Sequence, residues 1–111
     1  MNPPSIDRAV FDELKDTAGA EFVVELVDTF LEEAPQMLAE LRAAFSAGAA
    51  DRFRRAAHSL KTNAQTFGAA ALGAKARELE LGGLPAEASG LDALQRLYDA
   101  AAAELRELAR G

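Results

Sequence analysis

A chain of 111 residues with no cysteine, half of them hydrophobic, and a formal net charge of −6 has room for one domain with a single core and is too short for two of usual size. The absence of cysteine excludes disulfide frameworks, thiolate nucleophiles and most zinc sites. The acidic balance argues against general affinity for nucleic acid, which needs a basic field to displace counterions from phosphates.

Ala and Leu dominate the hydrophobic fraction, Val and Ile are scarce, and no strand-like alternation occurs, so an all-α fold is expected. After the helix-stopping pair Pro3-Pro4, Ser5 or Asp7 is placed to cap a short helix running to Lys15, with Ile6, Val10, Phe11 and Leu14 on its apolar side. Asp16, Thr17 and Gly19 read as a turn. From Glu21 to Ala47 the apolar positions Phe22, Val23, Leu26, Val27, Phe30, Leu31, Ala34, Leu38, Leu41 and Phe45 recur in steps of three and four, which defines a core-facing stripe. Pro35 lies in its middle and predicts a kink or a short break, because proline removes a helical hydrogen bond and clashes with the preceding turn.

Residues 46 to 50, with Gly48, end that helix. A third begins near Asp51, whose charge suits the positive end of the helix dipole, and stops at Gly68. A fourth runs from about Ala70 to Leu81 with Leu72, Ala76 and Leu79 inward, closed by Gly82-Gly83. Leu84 to Gly90 reads as a loop, and the last helix, Leu91 to Ala109, repeats Leu91, Leu94, Tyr98, Ala101, Leu105 and Leu108 as a bundle seam. The expected architecture is one domain over residues 1–111, an antiparallel four-helix bundle with a short N-terminal helix over one end. The N-terminus lacks the basic-then-apolar layout of a signal peptide, and no apolar run approaches the roughly 18 residues needed to span a bilayer. A soluble, cytoplasmic chain is expected. With no seam left for self-association, a monomer is expected as well.

Charge is unevenly distributed: residues 1–50 carry −7, residues 51–81 carry +3, and residues 82–111 carry −2. The basic island contains the only histidine. Advancing about 100° per residue, Phe53, Ala56, Ala57, Leu60, Ala64 and Phe67 share one face of the third helix, and His58 falls opposite their centre. Asp51, Arg54, Arg55, Lys61, Thr62 and Gln65 surround it. A core does not need that imidazole. Histidine is the side chain whose neutral, nucleophilic form is accessible near pH 7, and Lys61, one turn along the same face, places a cation where a phosphoryl group would sit. No glycine-rich phosphate loop, Walker-type lysine or second histidine occurs. A phosphoryl group would therefore have to be delivered by another protein.

The string His58-Ser59-Leu60-Lys61, followed by Gly68 ten positions after the histidine, resembles the signature of histidine-containing phosphotransfer domains of two-component phosphorelays. The resemblance extends to FVVELVDTFLEEAPQMLAELRAAF upstream and ALGAKARELE downstream, which is far more specific than an isolated His-x-x-Lys pair. It implies a four-helix bundle that accepts a phosphoryl group on His58 from a receiver-domain aspartate and relays or returns it to another receiver, with no kinase activity of its own. It also implies charge stabilisation by Lys61 and receiver or hybrid histidine kinase partners. No cofactor is implied, any Mg2+ belonging to the receiver. Arg54, Arg55, Thr62, Gln65 and Gly68 become the candidate partner-binding residues. Position 62 is usually glycine or another small residue in the family, so Thr62, like Gln65, bears on which receiver can reach the histidine.

Two other readings remain at this level. One is a module that sequesters a receiver without transfer, and the other is a helical scaffold using the basic strip. The retention of both His58 and Lys61 favours transfer over sequestration, and the overall acidity disfavours a nucleic-acid role.

Overall fold

The structure is a computed structural model that describes residues 5–110, so the Pro3-Pro4 pair lies outside the described residues. Five helices follow one another: α1 (Arg8–Ala18), α2 (Ala20–Ala47), α3 (Ala50–Thr66), α4 (Ala70–Gly82) and α5 (Ser89–Arg110), with no strand among the described residues. Consecutive helices pack on one another from α2 onward, and α5 returns against α2 to close the bundle.

Side-chain register shows the directions of these helices. Arg52 pairs with Glu40 near one end of α2 and α3, while Phe30 and Phe67 stack at 5.1 Å towards the other. On α3 and α4, His58 meets Glu80, and the Gln65 stem lies over Gly73. In both pairs one helix runs forward as the other runs back, as the short connections require.

The core is wholly apolar among the described residues. Phe11, Phe53, Leu41, Leu60, Leu72, Leu94 and Leu105 are all but sealed from solvent, and no polar or charged residue is buried with them. Each such side chain contributes on the order of 1.5–3 kcal/mol. Apart from the Tyr98 hydroxyl, which is carried into the core by its ring, the groups capable of chemistry lie at or near the surface of this scaffold.

Several expectations shift by a turn. Asp7, not Ser5, caps α1, its carboxylate accepting from the Ala9 N–H at 3.0 Å. Asp16 and Thr17 continue the helix instead of turning, because the Gly19 N–H still bonds the Lys15 carbonyl at 2.8 Å. Gly19 alone makes the corner. Pro35 does not break α2, which runs unbroken through it; the proline is exposed, so water can reach the helix face on which its N–H is missing. Phe22, placed on the core stripe by spacing, is 51% exposed, and Val10 is also exposed. The stripe turns inward only from Val23, and Val10 lies against Gly68 at the rim of the bundle.

The start of α3 carries a correctable weakness. Ala49 occupies its N-cap with no side-chain hydrogen bond, so the first-turn N–H groups lack the acceptor that Ser or Asp supplies. Ala49→Ser is expected to raise stability by about 1 kcal/mol, read as a higher midpoint in urea with an unchanged slope.

Candidate functional site

The site is assembled by α3 and α4. On α3, Phe53, Ala56, Ala57, Leu60 and Ala64 are buried, and this anchors the helix so that His58 faces outward with its side chain 57% exposed. On α4, buried Leu79 holds the helix down beside Glu80, whose side chain is only 11% exposed. The His58 Nδ1 lies 2.6 Å from Glu80 Oε2. An ionised carboxylate can only accept, so this contact assigns the proton to Nδ1. Nε2 is left as the ring nitrogen with the free lone pair.

Lys61, one turn further on, is more covered than its place on the wheel implied. Its side chain is 18% exposed, and Nζ donates to Glu80 Oε1 at 2.8 Å. The two oxygens of Glu80 are thus divided between the cation and the imidazole. The Lys61 hydrogen bond is the main influence holding the Glu80 carboxyl below its usual range; partial burial works against it, and the His58 hydrogen bond adds to the lowering. The carboxylate stays charged, and the ammonium beside it offsets that charge.

The remaining sequence candidates occupy different surroundings. Thr62 is exposed, but its hydroxyl donates to the His58 backbone carbonyl at 3.0 Å, so that donor is engaged within the helix. Gln65 is exposed at its tip while its Cγ covers Gly73 of α4. Arg54 sits 4.0 Å from Asp51. Arg55 makes only a hydrogen bond to the Asp51 carbonyl and lines a groove between α2 and α3.

Gly68 requires correction as a partner-binding residue. It is buried, its carbonyl accepts from the Asp7 N–H at 2.7 Å, and a Cβ built on it would lie 2.8 Å from the Asp7 carbonyl oxygen. The start of α1 already covers it, so it is a packing point inside the chain.

Glu80 was missed by sequence reading. Reflecting His58 through the turn at residues 67–69 lands near residue 78, in the run Glu78-Leu79-Glu80. That was the available signal, but register decides which acid meets the ring. No group of three metal-ligating side chains occurs among the described residues, and no helix there is long and apolar enough to cross a membrane.

The helical bundle thus holds one imidazole in solvent, with one ring nitrogen tied to a carboxylate and the other open. The chain belongs to the Hpt domain family, whose sequence profile matches residues 25–104. It is also similar to the solved structure of histidine-containing phosphotransfer protein B (HptB) from Pseudomonas aeruginosa PAO1. The identity is 30% with a TM-score of 0.77, over 98% of this chain and 94% of that one. Comparison with curated proteins finds no match.

Proposed function

We propose that this protein carries a phosphoryl group on Nε2 of His58, taken from the aspartyl phosphate of a receiver domain and relayed or returned to another receiver. The observation that carries this reading is the exposed ring whose Nδ1 is held by Glu80, together with membership of the Hpt domain family. The Nε2 lone pair attacks phosphorus, the N–P bond forms, and the acyl P–O bond breaks with its electron pair leaving on the receiver's carboxylate. No proton is lost in that step. The ring gains positive charge with Nδ1–H still in place, and the Glu80 carboxylate opposes that charge at 2.6 Å. Lys61 uses one N–H on Glu80 and has others to offer the phosphoryl oxygens. Transfer to the next receiver is the reverse step with a new carboxylate.

His58→Gln tests the reading. Mixed with phosphorylated receivers from the same genome, the wild-type protein is expected to gain acid-labile, alkali-stable label and the variant none. Folding of the variant should be preserved, since the ring contributes nothing to the core. Label that persists in His58→Gln overturns the assignment, and receiver binding without any transfer favours sequestration.

A further inference from the structure

On the α2 side of His58 a groove of ≈ 730 Å³ is lined by Glu33, Met37, Glu40, Arg52, Arg55, Ala56 and Ser59 among others. Its two walls differ in sign: α2 contributes Glu33 and Glu40, and α3 contributes Arg52 and Arg55. At the far end Arg52 and Glu40 satisfy each other in an ion pair. Seven residues back along α2 and seven forward along α3, about 10 Å towards the histidine end at 1.5 Å per residue, lie Glu33 and Ser59, the latter adjacent to His58 in sequence. Arg55 stands between. Neither Glu33 nor Arg55 has an ion-pair partner among the described residues. Half-buried Met37 and the small side chain of Ala56 form an apolar strip between the walls.

We propose that this groove selects the receiver, admitting a surface that offers an acidic group to Arg55, a basic group to Glu33 and an apolar side chain to Met37 and Ala56. The proposal rests on the phosphotransfer reading and names the partner chemistry that the same site accepts. Continuity supports it, because the groove's lining reaches Ser59, the residue next to His58 on α3. The charge pattern makes it selective. A receiver surface with the two charges exchanged would set like against like on both walls, and such juxtapositions suppress wrong partners and slow encounter. A uniformly acidic surface would satisfy Arg55 and be repelled by Glu33.

The test uses Glu33→Lys and Arg55→Glu, with Arg96→Glu on the exposed surface of α5 as a control that matches the charge change of Arg55→Glu. Two donors are compared: the receiver domain that transfers fastest to the wild-type protein, and phosphoramidate, a small donor that needs no docking. Each groove reversal is expected to lower transfer from the receiver at least tenfold at low salt and leave phosphoramidate labelling of His58 within twofold. Arg96→Glu should leave both near wild type. If both reversals transfer within twofold of wild type, or Arg96→Glu is as damaging, the groove selects nothing and phosphotransfer itself stands. If neither donor labels the wild-type protein, the phosphotransfer reading falls and this one falls with it.

Discussion

Glu80→Gln is expected to slow phosphoryl acceptance by His58 roughly 10²-fold, the scale of positioned acid–base partners, without unfolding the bundle. The amide can accept from Nδ1–H, but it can also rotate and donate to Nδ1. That second arrangement moves the ring proton to Nε2 and removes the nucleophilic lone pair. Either way the negative charge that opposes the growing positive charge on the ring is gone. Phosphoramidate labelling isolates this effect from docking, and ring nitrogen shifts in NMR report the tautomer. A Glu80→Gln variant with wild-type rate and tautomer would show that the 2.6 Å contact orients nothing. The same substitution carries a pH signature. Since the folded carboxyl titrates below its ordinary value of 4.5, its contribution to stability is complete above that value and is lost as pH falls through the depressed folded pKa. The wild-type advantage in Tm over Glu80→Gln should therefore be full at pH 6 and shrink as pH falls below 4.5.

Gly68→Ala is expected to be the most damaging small substitution in the chain, costing on the order of 2–4 kcal/mol through backbone strain and displacement of α1. At φ +80 an L side chain is strained in itself, and here the added Cβ meets the Asp7 carbonyl oxygen at 2.8 Å and Val10 Cβ at 3.0 Å. The first neighbour is backbone and cannot swing aside. Gly48 supplies the comparison: its φ is +66, yet nothing lies within 4 Å of a Cβ there, so Gly48→Ala isolates the conformational cost of roughly 1–2 kcal/mol. Thermal melts should show Gly68→Ala the lower of the two by several degrees. Equal melting temperatures would mean that α1 yields freely.

Much of the bundle was legible in the residues. Steps of three and four place Leu60, Leu72, Leu94 and Leu105 in the core because a helix has one period and a core has one side. Phe22 and Val10 escaped that rule. Period says which face a residue occupies, and it does not say how far along the helix the neighbouring helix extends. Pro35 was expected to kink or briefly break α2, and the helix runs unbroken through it; the proline is exposed, so water can reach the helix face that lacks its N–H.

At the site the division is sharper. By itself, the sequence determined that His58 stands in water among cations, since its own helix must turn Phe53, Ala57 and Leu60 inward, and it carried the His58-to-Lys61 signature of the family. Three relations were left to tertiary structure: which acid holds the ring, what the lysine touches, and what covers Gly68. Glu80 reaches His58 from 22 residues away, and Asp7 reaches Gly68 across the whole of α1, α2 and α3. Helical periodicity extends only within one helix. Contacts between helices depend on register and separation, and those are set when the apolar faces pack together.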